Sequence, residues 1–186
     1  MTGLNSLIGA LVLLVSGTTF SHAGTPCIYD KNCREGQVCS RGNDGLSRCR
    51  PSGREQIAFH AYTQASGHFP PGKVVIYPHV LLNDGEGYKP STGFFTAPVS
   101  GVYHFTAHIC NDASKYMVIN IMKGHVQIAV TTSYSSPAGG CSSVSAVANV
   151  PENEHVYVVA RWSDSHMFSD VYRFPSFMGY LLYEKE

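Results

Sequence analysis

Apolar and polar residues alternate with a period of two over much of the chain after Gln56. In residues 126–131, three apolar side chains alternate with residues of more polar character, which is typical of a strand with one buried face. The same period recurs in residues 103–109, 144–150 and 156–162. These segments predict half-buried β-strands.

Turn-forming residues separate these strands from four further apolar runs, at residues 57–62, 74–82, 116–122 and 177–183. Gly, Pro, Asn and Asp supply the turn signals. No segment of useful length has a helical period. Many short strands without intervening helices predict an all-β protein, either a β-sandwich or a jelly roll. The turn signals lie at residues 70–72, 83–85, 100–101, 123–124, 137–140 and 151–153.

The first residues predict a secretory signal peptide. Residues 7–15 form a short apolar run, and Ser21-His22-Ala23 places small residues before a cleavage site at Gly24. A buried N-terminal helix is the alternative interpretation. Since a membrane-spanning helix needs about 20 apolar residues and no later run is long enough, membrane insertion is not expected. Residues 1–23 are therefore predicted to be a signal peptide and the mature protein to be secreted and extracellular.

The charge balance argues against a nucleic-acid partner. The chain has 13 basic and 13 acidic residues, so it lacks the excess positive charge that attracts a polyanion. Charged residues make up only 14% of the chain and aromatic residues 11%. This composition is typical of a compact β domain with buried rings. The sequence contains no Gly-X-Y repeat, so no collagen-like stalk is expected in it.

Six cysteines fall into two groups. Four of them crowd into residues 24–53, a polar segment with no apolar run that could form a core, and two stand far downstream. In a secreted chain, disulfides are the expected state, and a segment this small needs such crosslinks. A zinc site is the alternative, but the gaps between the cysteines are wider than usual in zinc motifs. Spacing leaves three pairings open for the first group. The cysteines are Cys27, Cys33, Cys39 and Cys49, then Cys110 and Cys141.

Seven spaced residues resemble the signature of the C1q globular domain. The stretch TGFFTAPVSGVYHF and the later FMGYLLY are especially similar to that family. Two departures are Tyr77, where the family usually has Phe, and Ala107, where an aromatic residue is common. The extra hydroxyl of Tyr77 needs a hydrogen-bond partner, and a neighbouring side chain is expected to fill the volume at Ala107. The signature residues are Tyr77, Asn83, Tyr88, Phe95, Gly101, Tyr103 and Phe105.

The resemblance adds a C1q-like domain at residues 54–186 to the signal peptide and to the small cysteine-rich module with its linker at residues 24–53. It implies an antiparallel jelly-roll sandwich of about ten strands, and a homotrimer. C1q domains often carry one internal bridge, so an intradomain disulfide between Cys110 and Cys141 is expected, with an interchain bond as the alternative. The signature residues are expected to specify the core.

Sequence motifs for catalysis are absent. No nucleophile elbow, P-loop, dinucleotide-binding fingerprint or zinc-protease helix motif occurs, and we therefore expect a protein that is not an enzyme. A Ser/His/Asp triad is defined by geometry rather than by spacing, so a dispersed one stays open.

Metal binding is left unassigned by the sequence. His104 and His108 share one face of a predicted strand, but residues four apart on a strand are about 13 Å apart, too far to share one ion. Three copies of one histidine at a trimer axis would be a different case. The loops 84–86 and 164–166 carry oxygen ligands for calcium, but each alone has too few. Ordinary turns are favoured there, and no cofactor is expected.

Loops between strands are the expected ligand-binding surface, because their side chains are free of the core. Residues 111–115, 133–140 and 163–173 are the candidates. The last loop mixes rings with hydrogen-bonding and charged groups, which suits sugars or mixed-charge surfaces. Its candidate side chains are Asp164, His166, Phe168, Asp170, Tyr172 and Arg173.

The function that the resemblance implies is recognition outside the cell. Short, collagen-free C1q proteins are similar to lectin-like pattern-recognition molecules of innate immunity, and the expected partner is a microbial polysaccharide or a cell-surface ligand. Two alternatives stay open, because one fold serves many functions. One is a signalling ligand for a cell-surface receptor, and the other is a structural or metal-handling extracellular protein.

Overall fold

The computed structural model describes residues 25–41, 45–51, 56–135 and 137–185 of the 186-residue chain. The chain folds into two compact units, and the boundary between them lies between Arg54 and Glu55. The signal peptide predicted for residues 1–23 lies outside the described residues, as do Ser52 and Gly53 of the predicted linker. Among the described residues, no helix has the length and apolar character needed to cross a membrane.

Disulfides crosslink the N-terminal unit. A 3-10 turn at Asp30–Asn32 precedes strands β1 (Gln37–Arg41) and β2 (Ser47–Pro51), which pair antiparallel. Cys39 lies directly opposite Cys49 in this hairpin. Each nevertheless bonds elsewhere: the pairs are Cys27–Cys39 and Cys33–Cys49.

Twelve strands are described in the C-terminal unit, all paired antiparallel. The strands are β3 (Ala58–Tyr62), β4 (Gly67–His68), β5 (His79–Asp84), β6 (Tyr88–Lys89), β7 (Phe94–Thr96), β8 (Gly101–Cys110), β9 (Tyr116–Lys123), β10 (Val126–Tyr134), β11 (Cys141–Val150), β12 (His155–Ala160), β13 (His166–Met167) and β14 (Ser176–Glu184). One five-stranded sheet has the order β10-β9-β12-β7-β6, and a second has the order β11-β8-β14-β3-β5. We call them the β9 sheet and the β8 sheet. A short extra pair joins β13 to β4.

The predicted jelly roll with about ten strands is confirmed, since the two large sheets contain five strands each. Period-two alternation places one face of each long strand inward. On β8 the odd-numbered residues from Tyr103 to Ile109 are fully buried, whereas His104, Thr106 and His108 point outward and are only partly covered. The core therefore lies between the sheets, and the outward face of β8 carries polar side chains.

Aromatic rings dominate the core. Phe59 stacks on Tyr88 and on Phe95 with centroid separations of 4.9 Å in both pairs, and meets Phe177 edge-on at 5.0 Å. Phe177 is fully buried and is the backbone partner of Ala107 on the neighbouring strand. A large ring thus occupies the core beside the small residue at position 107, in line with the expectation from the sequence.

The signature residue Asn83 closes the turn before β6. Its amide nitrogen donates to the carbonyl oxygen of Tyr88, and its side-chain oxygen accepts from the Tyr88 amide, both at 3.0 Å. This pair of bonds imitates the pairing of a neighbouring strand. The Tyr88 hydroxyl in turn donates to the Tyr77 carbonyl at 3.0 Å and accepts from the Tyr77 amide at 3.3 Å.

Glycine at position 101 is required by close packing rather than by a turn. Gly101 is the first residue of β8, and a β-carbon there would lie 2.6 Å from Leu181 Cδ1 and 2.7 Å from the carbonyl oxygen of Tyr183. The close approach of β14 is therefore the reason for glycine at this position.

Candidate functional site

Three loops meet at one end of the C-terminal unit, and Asn111 joins two of them. Its side-chain oxygen accepts hydrogen bonds from Ser133 Oγ at 2.7 Å and from the Gly140 amide at 3.0 Å. The Asn111 amide also donates to the Gly140 carbonyl at 2.9 Å. Asn111 is fully buried, so each of these bonds replaces water that the polar groups have lost.

The third loop is tied to the first by the backbone. The amide of Asp112 donates to the His166 carbonyl at 3.2 Å, and the Phe168 amide donates to the Cys110 carbonyl at 3.0 Å. The buried Ser165 hydroxyl accepts a bond from the Val118 amide at 3.3 Å. We name the surface formed by residues 111–115, 133–135, 137–140 and 163–173 the loop end. The structure thus brings together all three loops selected from the sequence.

A compact charged group lies on the loop end. Lys115 Nζ is 3.3 Å from Asp164 Oδ2, and His166 Nε2 is 3.2 Å from Asp164 Oδ1. The hydrogen bond from Lys115, with the added influence of His166, lowers the pKa of the Asp164 carboxyl. Because all three side chains are partly exposed, this group is a polar surface for hydrogen bonding rather than a buried salt bridge.

His166 also faces a second histidine. It is the cross-strand partner of His68 in the β4–β13 pair, and the two ring centroids are 5.2 Å apart. His68 Nε2 donates to the Ser163 carbonyl at 2.8 Å. His68 therefore lies next to the loop end, against His166, which in turn contacts the Asp164 carboxylate.

The other candidate side chains named from the sequence lie in or next to a closed turn at residues 170–173. Asp170 and Arg173 exchange backbone hydrogen bonds at 3.1 and 3.2 Å, and Arg173 Nη2 donates to Asp170 Oδ2 at 2.7 Å. This contact lowers the pKa of Asp170 and raises that of Arg173. The Arg173 guanidinium also stacks over the Phe168 ring at 4.4 Å. These contacts hold Tyr172 at the tip, where it is 91% exposed.

Two exposed rings beside this group were not among the candidate side chains named from the sequence, although Tyr134 lies within the candidate loop 133–140. Tyr116 and Tyr134 stack with centroids 4.3 Å apart, and Tyr116 forms a parallel bridge with Ser165, next to Asp164 and His166. Tyr116 alternates out of phase with the buried Met117 and Ile119 on β9. That phase is a signal for an outward-facing ring, but its contact with Tyr134 follows only from the pairing of β9 with β10.

Among the described residues, neither the candidate calcium loops at residues 84–86 and 164–166 nor the pair of His104 and His108 forms a shared group of metal-binding side chains. Within the described ranges, two groups of three His, Cys, Asp or Glu side chains bring their ligand atoms within 4.8 Å of one another, and neither includes an acidic residue or His104. The groups are Cys27, Cys33 and Cys49, and His108, Cys110 and Cys141.

The second group lies on the outward face of the β8 sheet. Cys110 and Cys141 are bonded to each other, so the expected intradomain disulfide is present. His108 Nδ1 is 2.8 Å from Ser143 Oγ, and its Nε2 is 3.6 Å from Cys110 Sγ. Partial burial lowers the pKa of His108.

A concave surface also occurs on the N-terminal unit. It is a shallow, open hollow lined by Ile28, Tyr29, Lys31 and Cys39. Ile28 and Tyr29 are largely exposed. The described residues that line the hollow offer no convergent set of polar groups, so it is a weaker candidate for a small-molecule site than the loop end.

Two five-stranded antiparallel sheets around an aromatic core define the jelly-roll class. The chain belongs to the C1q domain family, because the family model described as "C1q domain" matches residues 58–182. Two solved structures share the fold. The "Globular Domain of Zebrafish Complement 1qA protein" has a TM-score of 0.58 at 18% identity and covers 69% of this chain and 99% of its own. The "Structure of Eiger TNF from S. frugiperda" has a TM-score of 0.57 at 14% identity and covers 72% and 96%.

Two curated relatives of this chain have names that refer to different functions. The "Heavy metal-binding protein HIP" of Mytilus edulis is 25% identical over 113 residues, which is 60% of this chain and 53% of that protein. The "Complement C1q tumor necrosis factor-related protein 3" of Mus musculus is 30% identical over 130 residues, which is 69% of this chain and 49% of that protein. The chain thus spans about half the length of these relatives.

Proposed function

We propose that this protein is a secreted, trimeric recognition protein that binds microbial glycans or similar cell-surface sugars through the loop end. The observation that carries the proposal is the convergence of three loops on one surface, where the stacked rings of Tyr116 and Tyr134 lie beside Lys115, Asp164 and His166. Its role is binding rather than catalysis, and we connect it to innate immunity.

This combination of groups suits a sugar. An exposed aromatic ring packs against the apolar face of a pyranose, and neighbouring charged groups bond to its hydroxyls. The loop end offers both, and the turn that carries Tyr172 adds a further exposed ring. The three rings are exposed to solvent, so each site is expected to bind weakly. Three equivalent sites on one trimer then gain avidity without any new contact.

The outward face of the β8 sheet supports the trimer. Val147, His104 and Tyr180 form one cross-strand row on that face, and Val147 and Tyr180 are exposed. Apolar side chains on a sheet face gain free energy when a neighbouring copy covers them. Trimerisation is therefore proposed to bury this row of side chains and to leave the loop end, with the neighbouring pair of Cys110 and Cys141, accessible.

Binding of the full mature chain to glycan arrays and to whole bacteria tests the proposal. We expect saturable binding that is competed by one class of sugar and that falls at least about tenfold in Tyr116→Ala and in Tyr134→Ala, because each loses its stacking surface. Tyr183→Ala is the matched control. Tyr183 is an exposed ring that pairs with Val102, at the end of β8 opposite Cys110. Equal binding by all three variants, or no binding to any microbial surface, would contradict the proposal.

Metal handling is the second candidate function. The relative named for heavy-metal binding favours it, and His68 and His166, whose ring centroids are 5.2 Å apart, are the histidine pair to test. Zinc and copper uptake by the oxidised protein, measured before and after His68→Ala and His166→Ala, distinguishes it from sugar binding. Uptake that depends on both histidines would favour metal handling. A signalling ligand for a cell-surface receptor remains the third alternative, and receptor-dependent binding to host cells would support it.

A further inference from the structure

Two cysteines and one histidine lie together on the outward face of the β8 sheet. Cys141 is the register partner of Cys110, and Ser143 is the register partner of His108. His108 and Cys110 are two residues apart on one strand, so both point to the same face. The sulfur atoms of Cys110 and Cys141 and a ring nitrogen of His108 all lie within 4.8 Å of one another.

The distance between the side chains of His108 and Cys110 matches the distance between two ligand atoms of one metal ion. A tetrahedral zinc ion with Zn–S of about 2.3 Å and Zn–N of about 2.0–2.1 Å places its sulfur and nitrogen ligands about 3.6 Å apart. His108 Nε2 is 3.6 Å from Cys110 Sγ. The other ring nitrogen of His108 lies 2.8 Å from Ser143 Oγ, the kind of outer contact that orients a metal-binding imidazole.

We propose that Cys110, Cys141 and His108 form a redox-gated binding site for a soft divalent cation of the zinc and cadmium class. In the oxidised protein the two sulfur atoms are bonded to each other, and neither is a thiolate ligand. Reduction opens the site. The inference does not rest on sugar binding, because it uses other residues and another oxidation state.

An external low-molecular-mass thiol can supply the electrons for the opening reaction. Cys141 is exposed and Cys110 is buried, so the external thiolate attacks the Cys141 sulfur, forms a mixed disulfide with it and releases Cys110 as a thiolate. A second external thiol then attacks the mixed disulfide. Two electrons pass to the protein, and the two external thiols leave as their own disulfide. Binding of the cation displaces the remaining protons of the two cysteines as they ligate it.

The strand ladder keeps the ligands in place after reduction. Cys110 and Cys141 are the first of ten paired positions that run along β8 and β11 to the pair of Gly101 and Val150. Beyond the cysteines, Asn111 and Gly140 exchange further hydrogen bonds. The sulfur atoms therefore need only side-chain rotation to move apart to about 3.8 Å, the separation of two thiolates on tetrahedral zinc.

The group of cysteines in the N-terminal unit lacks these features. Cys27, Cys33 and Cys49 have no histidine among them, and the buried apolar residues described in that unit are Cys27 and Cys49 themselves. Reduction there removes the crosslinks of a unit with little core. That unit contributes background thiolates, which the experiment must subtract.

Cadmium binding to the full mature chain tests the inference. The protein is reduced with a phosphine and then titrated with Cd²⁺ alone, and thiolate-to-cadmium charge-transfer absorption and equilibrium dialysis report the binding. We expect reduced wild type to bind one more Cd²⁺ per chain than reduced Cys110→Ser/Cys141→Ser, and oxidised wild type to lack this site. His108→Gln should weaken the site by about tenfold or more. His104→Gln, on the same face of β8, is the matched control and should bind as wild type does.

A second measurement covers the case in which the double variant does not fold. Reduced wild type is alkylated with and without Cd²⁺, and modification is read at each cysteine by mass spectrometry. Cd²⁺ should slow alkylation of Cys110 and Cys141, and should do so less in His108→Gln. Equal cadmium uptake by wild type and the double variant, unprotected thiols, or an unchanged affinity in His108→Gln would each overturn the inference.

Discussion

The hydroxyl of Tyr88 donates a hydrogen bond to the carbonyl oxygen of Tyr77 across 3.0 Å, while the Tyr77 hydroxyl has no hydrogen-bond partner among the described residues. Both rings are buried in the core. A buried hydroxyl without a partner costs free energy, whereas a bonded one does not. The Phe that C1q domains usually carry at position 77 avoids that cost.

The first prediction follows from this difference. Tyr77→Phe should raise the free energy of unfolding by about 1 kcal/mol, because it removes a polar atom that had lost its water. Tyr88→Phe is the control and should lower it by about 1–3 kcal/mol, because the amide and carbonyl of Tyr77 lose their partner. Urea unfolding measures both. A destabilised Tyr77→Phe variant would contradict the account.

The second prediction concerns alkaline pH. Burial raises the pKa of Tyr88 to about 12 and raises that of Tyr77 as well. In the unfolded chain both hydroxyls ionise near their ordinary pKa of about 10. The stability that these groups contribute is therefore fully present below about pH 10 and is lost as the pH rises from there towards about 12.

Urea midpoints at about pH 8 and about pH 11 check the second prediction. Wild type should lose stability between them, and Tyr77→Phe should lose less, because one of the two buried phenols is gone. Identical losses in the two proteins would show that the Tyr77 hydroxyl does not titrate differently in the folded and unfolded states.

The third prediction concerns packing at Gly179. A β-carbon there would lie 2.5 Å from Phe105 Cδ1 and 2.8 Å from Phe59 Cε1, two rings that are themselves closely packed. Gly179→Ala should therefore lower the free energy of unfolding by about 1–3 kcal/mol. Asn149→Ala, on the exposed face of β11, should change it by less than about 0.5 kcal/mol. Chemical denaturation measures the free energy of unfolding of both variants. Equal values for the two would refute the steric argument.

The fourth prediction concerns Asn111. Asn111→Ala removes the acceptor for Ser133 Oγ and for the Gly140 amide, and should lower the free energy of unfolding by about 2–3 kcal/mol. The substitution should destabilise the loop end more than the rest of the domain. Amide hydrogen exchange at Gly140 and at Ser114 should therefore accelerate more than at Val158 in the core. Uniform acceleration would mean that Asn111 stabilises the whole domain rather than the loop end.

The burial pattern of β8 shows what was predictable from local order. Tyr103, Phe105 and Ile109 were expected inside because they recur at every second residue, and all three are fully buried. Period-two alternation is a property of each strand by itself, so a single sequence reveals it. The spaced signature added the fold class, because its aromatic positions meet in one core around Phe59.

The local order of residues along the chain did not predict which cysteines bond to each other or which exposed rings stack. Cys39 and Cys49 face each other across a hairpin and yet bond to Cys27 and Cys33, a choice that spacing left open. Tyr116 and Tyr134 meet only because β9 pairs with β10. Contacts of this kind depend on strand register and on which strands become neighbours.

The sequence by itself determined the all-β class, the buried positions of the long strands and the three loops of the loop end. Only the tertiary structure decided that these loops converge, that Tyr116 and Tyr134 stack beside Asp164, and that His108 lies next to the bridge between Cys110 and Cys141. The reason is physical. Alternation and turn chemistry act between neighbours in the chain, whereas a binding surface is assembled from segments that the folded sheets bring together.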